Sequence, residues 1–235
     1  MKKFLLALLL VPMLAFANVE LHLDKAPDRS GDNAALQRGA RTFVNYCLNC
    51  HSASYMRYNR LADIGLSDGQ IKENLLFTAD KVGEPMKVAL QRADGRIFFG
   101  AAPPDLTVIA RARGSESGSG ADWLYSYLRG FYRDSERPTG WNNTVFPNVG
   151  MPHVLWELQG DQVLGEHHKL ELASPGKLNS QEYDALVGDL VGYLNYMGEP
   201  AAEARKRMGW FVLLGLLLLF IVTYALKREY WKDVH

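Results

Sequence analysis

The stretch FVNYCLNCHSASY, residues 43–55, contains the two cysteines of the chain, and a histidine follows the second one directly. Cys47 and Cys50 are three positions apart, so one helical turn brings them to the same side. Three chemistries use such a pair: a redox dithiol, half of a zinc site, and covalent attachment of haem c. The rest of the chain has to decide among these three.

The composition around the cysteine pair favours haem c. A thioredoxin-like dithiol belongs to a βαβ unit, and the sequence shows no such alternation. A structural zinc site needs four ligands, but beyond His51 the chain offers only scattered histidines such as His167 and His168, and no second cysteine pair. Haem c needs two thiols for its vinyl groups and an adjacent histidine for the iron. We therefore interpret Cys47 and Cys50 as thioether anchors and His51 as the proximal ligand.

The residues alone leave the sixth iron ligand open. A methionine sulfur would close the distal side and raise the reduction potential, whereas an open site would bind small gases. Met86 in GEPMKV and Met151 in NVGMPHV both lie in loop-like segments. Gly150 permits close backbone approach and Pro152 favours an extended chain before it, which favours Met151. His153 is a third candidate and would give a bis-histidine iron.

The two ends of the chain predict export and a membrane anchor. Residues 1–17, MKKFLLALLLVPMLAFA, combine two lysines, an apolar run and an Ala-Phe-Ala end, which is the pattern of a cleavable signal peptide. Residues 208–226 carry no charge and are long enough for roughly 28 Å of helix. The predicted arrangement is a signal peptide at 1–17, a periplasmic domain at 18–204, and an inner-membrane anchor at 205–235 that ends in a short cytoplasmic tail.

The formal charge of the whole chain is zero, but the part predicted to be exported is acidic. Residues 18–204 contain 18 Lys and Arg against 24 Asp and Glu, a net charge of −6. A surface of this sign disfavours nucleic acid and would steer a basic partner.

Apolar periodicity predicts a mainly α domain in which short helices are joined by long loops. One small hairpin is predicted between Leu155 and Leu172. The predicted helices are Asn33–Cys50, Ser67–Phe77 behind a capping box, Pro104–Arg113, Ala121–Tyr132 and Gln181–Met197.

Five segments, taken in order and followed by one apolar C-terminal helix, carry a family resemblance. They are CLNCHSASYMRYNRL, GAAPPDLTVIARARG, DWLYSYLRGFY, RPTGWNNTVFPNVGMPHVLW and YDALVGDLVGYLNYMGEPAAEARKRMG. The chain resembles cytochrome c1 of the proteobacterial type, the haem-c subunit of the cytochrome bc1 complex, from about residue 36 to residue 228. The CxxCH motif is common to c-type cytochromes, whereas the PPDL, GMP and RKRMG segments together are more specific.

The resemblance implies a cytochrome-c-like helical haem domain with long loops, plus one C-terminal transmembrane helix. It implies one haem c, attached covalently through the two cysteines, with His51 and Met151 as axial ligands. It also implies that Pro104 packs on the haem and that Arg113 pairs with a propionate.

An arginine is physically suited to a propionate because its planar fork of donors neutralises a partly buried carboxylate. Arg111 is the competitor of Arg113 for this role. Trp123 falls where the family has an aromatic residue beside the propionate, but its indole can only donate a hydrogen bond.

The function that the resemblance implies is electron transfer within a quinol–cytochrome c oxidoreductase. The implied partners are cytochrome b, the Rieske iron–sulfur protein as donor, a soluble or membrane-bound cytochrome c as acceptor, and membrane lipid. No substrate bond is made or broken by this chain, so we expect it to be a redox subunit and not an enzyme by itself. The alternatives are a stand-alone membrane-anchored c-type shuttle, a haem-c subunit of a terminal oxidase, and a peroxidase-like haem enzyme with an open sixth site.

Overall fold

A computed structural model describes residues 21–166 and 169–234 of the chain. Helices dominate its regular structure, so the predicted mainly α fold class is confirmed. The predicted signal peptide at residues 1–17 and the histidines His167 and His168 lie outside the described residues.

The helices and strands follow one another along the described chain in short units. The helices are α1 Asn33–Thr42, α2 Asp68–Asn74, α3 Arg92–Phe99, α4 Ile109–Ala112, α5 Gly120–Arg129, α6 Trp156–Gln159, α7 Ser180–Gly198 and α8 Ala202–Tyr230. A π-helical turn, Phe43–Cys47, extends α1, and a 3₁₀ helix covers Tyr58–Ile64. The antiparallel strand pairs are β1 Ala53–Arg57 with β2 Pro85–Met86, β3 Phe131–Arg133 with β4 Trp141–Asn143, and β5 Gly160–Leu164 with β6 Leu170–Pro175.

Four of the five predicted helices are present, with ends shifted by a few residues, as α1 with its π-helical turn, α2, α5 and α7. The capping box that opens α2 is also confirmed, because Ser67 and Gln70 exchange side-chain and backbone hydrogen bonds. The predicted hairpin corresponds to β5 and β6. Helices α3 and α6, the 3₁₀ helix and the other two strand pairs were not predicted, because their apolar patterns are too short to show a period.

The helix predicted over Pro104–Arg113 is wrong in its first half, since only α4 is helical there. The Asp105 carboxylate accepts hydrogen bonds from the backbone amides of Ser54 at 2.8 Å and Thr107 at 2.9 Å. Such side-chain hydrogen bonds compete with the first turn of a helix. The chain therefore stays irregular where it passes the cysteine motif.

Helices α1 and α7 cross in close contact, and this crossing fixes the position of α1 in the domain. Gly39 of α1 lies so close to α7 that an added Cβ would be 2.1 Å from the backbone oxygen of Asp189. The Asp189 carboxylate also pairs with Arg29 at 3.1 Å and with Arg38 at 2.6 Å. Because the cysteine motif lies on the C-terminal extension of α1, this crossing also determines where the cysteines lie.

Asp122 fastens the N-terminal end of α5 to the segment that precedes α1. Its carboxylate accepts hydrogen bonds from the amide of Ala26 at 2.8 Å and from the amide and hydroxyl of Ser119 at 3.2 and 2.7 Å. Ser119 accepts in return from the Asp122 amide, which completes a capping box. Burial alone would raise the pKa of Asp122, but these hydrogen bonds hold that pKa below its usual range.

Replacing Asp122 with asparagine is expected to lower the free energy of unfolding by about 2 kcal/mol at pH 7, because an NH₂ group would face backbone and hydroxyl donors. Since the folded pKa is lowered, the carboxylate stabilises the protein above its unfolded pKa of about 3.9. That stabilisation is lost as the pH falls through the folded pKa. Denaturant unfolding of the full chain in detergent, at pH 7 and in acid, measures the difference between the two proteins.

The matched control for this variant is Asp80→Asn, since Asp80 is exposed. It should change the free energy of unfolding by less than about 0.5 kcal/mol. Equal stability of the Asp122→Asn variant and the wild type at pH 7 would contradict the anchoring role.

Helix α8 is one continuous helix of 29 residues. Its most apolar 18-residue stretch has a mean hydropathy of 2.4, and none of that stretch is buried against the rest of the protein. By length and composition it is suited to cross a membrane, as predicted for residues 208–226. Glu199, just before α8, pairs with Arg111 of α4 at 3.2 Å and with Arg205 of α8 at 2.6 Å. These ion pairs connect the start of the anchor to the folded domain.

Candidate functional site

The cysteine motif forms a tight turn where α1 and its π-helical extension end. The backbone amides of Cys50 and His51 both donate to the carbonyl of Cys47, at 3.1 and 2.9 Å. Cys47 is buried and Cys50 is half-buried, and the two cysteines form no disulfide with each other. The turn therefore presents two thiols and one imidazole within five residues, as the spacing predicted.

A cavity of about 300 Å³ opens beside this turn. This volume is at the lower end of the range for small-molecule and cofactor sites. All six residues predicted for the site lie in its lining, namely Cys47, Cys50, His51, Pro104, Arg113 and Met151. Much of the remaining lining is apolar or aromatic and includes Leu106, Ile109, Trp123, Tyr127, Phe146 and Val154.

The imidazole of His51 is oriented by the backbone of the PPDL segment. Its Nδ1 is 2.7 Å from the carbonyl oxygen of Pro104. Because a carbonyl can only accept, Nδ1 carries the hydrogen and Nε2 is the free nitrogen. Burial lowers the pKa of His51, despite the opposing effects of this hydrogen bond and of Asp105. The ring is therefore a neutral imidazole with one nitrogen available for a metal.

The structure places Met151 at the cavity and the two competing candidates elsewhere. Met151 is half-buried and lines the cavity, whereas Met86 is fully buried in the core, 3.7 Å from the hydroxyl of Tyr193. His153 is also buried, and its ring stacks on Phe131 at a centroid distance of 4.8 Å. Burial lowers the pKa of His153 to about 4, so it is a neutral core side chain.

Arg113 and Arg111 point to different parts of the molecule. The guanidinium of Arg113 lies over the ring of Trp123 at 4.5 Å and over that of Phe146 at 5.7 Å, and Arg113 lines the cavity. Arg111 instead pairs with Glu199 at 3.2 Å. The cavity thus has a cation held between two aromatic faces, and Arg113 supplies it.

The state of the thiols bears on the alternatives to haem. Burial, with a smaller effect from Cys50, raises the pKa of Cys47 to about 12, whereas a redox dithiol needs a lowered thiol pKa. Within residues 21–166 and 169–234, no three His, Cys, Asp or Glu side chains come together in a way that could hold a metal ion. Two thiols, a neutral imidazole, a thioether and a guanidinium around a mostly apolar cavity fit haem c.

Two contacts of the site were missed by sequence reasoning. The Pro104 carbonyl that orients His51 is 53 positions away in sequence, and the hydroxyl of Tyr127 lies 3.3 Å from the sulfur of Met151 across 24 positions. Tyr127 lies within the predicted helix Ala121–Tyr132, and the sequence assigned it no role in the site. Burial raises the pKa of Tyr127 well above its usual range, so its hydroxyl stays protonated. No sequence signal identifies either contact, because both depend on the tertiary fold.

Comparison with known proteins shows which protein family the sequence resembles. Residues 24–234 match the model of the Cytochrome C1 family. Cytochrome c1 of Allochromatium vinosum is 47% identical over 251 residues, with 100% of both chains covered. A protein named ammonia monooxygenase gamma subunit, of Nitrosomonas europaea, is 49% identical over 236 residues, covering 100% of this chain and 98% of the relative.

A chain of the solved structure named Hyperthermophilic respiratory Complex III aligns with 100% of this chain and 98% of its own length. Its sequence identity is 16% and the TM-score is 0.42, which is too low to add to the argument.

Proposed function

The chain belongs to the cytochrome c1 family, the haem-c electron-transfer subunit of the bc1 complex, and from this premise we propose the route of its electrons. It accepts electrons from a Rieske iron–sulfur protein beside cytochrome b and passes them to a c-type cytochrome. It carries one covalently bound haem c, as the family does, and is membrane-anchored through α8. By itself it catalyses no reaction.

The observation that carries this proposal is the convergence of six residues from separate parts of the chain on one cavity. They come from the end of α1, the PPDL segment, the end of α4 and the loop after β4. The convergence supports thioether attachment through Cys47 and Cys50, with His51 and Met151 as axial ligands.

The residues of the chain have separable tasks in this proposal. When bound, haem c supplies a one-electron iron couple. The Pro104 carbonyl orients the His51 ring by accepting from Nδ1, which leaves Nε2 as the nitrogen that would bind the iron. Met151 presents a thioether to the cavity, a soft ligand that would favour the reduced state of the iron and would keep gases and water from binding it.

Arg113 is proposed to pair with a propionate. Its guanidinium is already fixed at the cavity between Trp123 and Phe146, so little side-chain entropy is lost when a carboxylate binds. Arg111 forms an ion pair with Glu199, and this pair would have to break before Arg111 could bind a propionate in the cavity.

The proposed topology follows the sequence. Residues 1–17 act as a signal peptide, residues 18–204 lie in the periplasm, and residues 205–235 form the anchor and a short cytoplasmic tail. The apolar, fully exposed helix α8 supports the anchor. The signal peptide and the periplasmic side are proposed from the sequence alone.

Electron transfer to a basic acceptor cytochrome is expected to slow as salt is added. The proposed periplasmic part carries a net charge of −6, and screening at about 0.15 M salt removes most long-range steering. We expect a fall of about tenfold in the second-order rate between low and physiological salt. Stopped-flow reduction of the acceptor measures it, with an uncharged redox mediator as control, and a flat response would contradict electrostatic docking.

A second candidate is a place in an ammonia monooxygenase, which the name of the 49% identical relative favours. Purification of the full chain through a C-terminal tag from its native membranes separates the two. Co-purification of a cytochrome b and an iron–sulfur protein supports the bc1 proposal. Co-purification of monooxygenase subunits, without these two, supports the second candidate.

A further inference from the structure

The hydroxyl of Tyr127 lies 3.3 Å from the sulfur of Met151, inside the cavity that the site residues line. A thioether sulfur carries no hydrogen, so the tyrosine is the donor. The sulfur has two lone pairs, and a donor on one of them leaves the other for a metal. The contact is therefore compatible with Met151 as an axial ligand.

The Tyr127 ring is held from two sides. It stacks on Trp123, four residues earlier on α5, with ring centroids 4.8 Å apart and an angle of 13° between the planes. Phe131 meets it edge-on at 5.1 Å. With the rest of its side chain so constrained, the hydroxyl has little freedom to leave the sulfur.

The backbone beneath this contact is also tied to the methionine loop. Asn143 is buried, and its side-chain amide donates to the carbonyl of Tyr127 at 2.8 Å. The side-chain oxygen of Asn143 accepts from the amides of Val145 at 2.9 Å and Phe146 at 3.1 Å. One side chain thus connects α5 to the start of the loop that leads to Met151, which fixes the distance between hydroxyl and sulfur.

We propose that Tyr127 is a positioning residue that raises the reduction potential of the centre through a hydrogen bond to the Met151 sulfur. The inference rests on the proposed function, because it takes Met151 as an axial ligand. A hydrogen bond withdraws electron density from the sulfur, which then donates less to the iron. The ferric state loses more from this than the ferrous state, so reduction is favoured. The hydrogen bond also limits rotation of the thioether away from the cavity.

Tyr127→Phe is the direct test, because it removes the hydroxyl and keeps the ring and its stacking. Reduction should become about threefold less favourable, a fall of about 30 mV in midpoint potential at about 59 mV per tenfold change. The far-red absorption band of a methionine-ligated ferric haem should remain but shift. Both are measured on the full-length haem protein in detergent, together with thermal unfolding.

Tyr125→Phe is the matched control. Tyr125 lies on the same helix and is buried, but its ring is covered by the guanidinium of Arg129 at 4.4 Å and is not part of the cavity lining. The midpoint potential of the Tyr125→Phe protein should equal that of the wild type. Replacing Tyr127 with a fluorotyrosine gives a second, opposite test, because a more acidic phenol donates more strongly and should raise the potential.

The outcomes distinguish the role of Tyr127 from the assignment of Met151 as an axial ligand. A lower potential in Tyr127→Phe and a higher one in the fluorotyrosine protein support the proposal, since a merely structural role predicts no such opposite pair. An unchanged potential in both, with the far-red band present, overturns the role of Tyr127 and leaves Met151 as a ligand. Absence of the band from the wild-type protein overturns both.

Discussion

Replacing Met151 with leucine is expected to lower the reduction potential and to let the reduced protein bind carbon monoxide. Leucine has nearly the same volume, so the fold should tolerate it at a cost below about 1.5 kcal/mol. What is lost is the Met151 sulfur, which lines the cavity and is the second proposed axial ligand beside His51. Without it the ferric state is less disfavoured, and the distal position becomes accessible to gases.

The expected size of the Met151→Leu effect is large. Reduction should become at least about 100-fold less favourable, or about 120 mV, since a tenfold change corresponds to about 59 mV. Redox titration measures the potential, and difference spectra with and without carbon monoxide measure gas binding. Both readouts use the full-length protein, and they report the coordination independently of any partner.

Met86→Leu is the control for this experiment. Met86 is fully buried in the core and does not line the cavity, so the same chemical change should leave the potential unaltered. If Met86→Leu lowers the potential and admits carbon monoxide while Met151→Leu does neither, the ligand assignment is wrong.

Replacing Gly39 with alanine is expected to destabilise the domain by about 3 kcal/mol. The new Cβ would lie 2.1 Å from the backbone oxygen of Asp189 and 2.8 Å from the Cβ of Tyr193. These atoms belong to the α7 backbone or are attached directly to it, so no side-chain rotation relieves the clash. Helices α1 and α7 would have to separate. Because α1 carries the cysteine motif, part of the protein should also fail to receive haem.

Gly69→Ala is the matched control for the helix crossing. Gly69 lies in α2, and a Cβ there would meet nothing closer than the Ser67 hydroxyl at 4.0 Å. The same substitution should therefore stabilise the protein by about 0.4–1 kcal/mol. Denaturant unfolding of the three proteins in detergent compares them. If Gly39→Ala unfolds at the wild-type denaturant concentration, the close crossing does not exist in solution.

Local signals in the sequence predicted the parts of the site that are local. The turn that joins Cys47, Cys50 and His51 follows from spacing alone, and the α2 capping box follows from Ser67 and Gln70. Resemblance to a family then added Met151, Pro104 and Arg113, and the structure brings all three to the cavity. Residue types and short-range spacing were sufficient for the cysteine turn and the capping box, whereas Pro104 and Arg113 depended on the resemblance.

Contacts between distant segments could not be predicted in the same way. Pro104 was expected to begin a helix, but its carbonyl instead accepts from His51, and the chain around it stays irregular. Met86 and Met151 both lie in loop-like segments of the sequence, and although Gly150 and Pro152 favoured Met151, only the tertiary structure shows that Met86 lies in the core and Met151 at the cavity. The contact of the Tyr127 hydroxyl with the Met151 sulfur could not be predicted either, because Met151 lies on a separate loop.

The most direct test of the central claim is the rate at which added quinol reduces this haem in native membranes. The rate is measured with and without an inhibitor of the quinol-oxidation site of cytochrome b. If electrons arrive through cytochrome b and a Rieske protein, as we propose, the inhibitor will block reduction of the haem. Reduction that continues at the same rate with the inhibitor bound would contradict that route and place the protein in another chain of electron carriers.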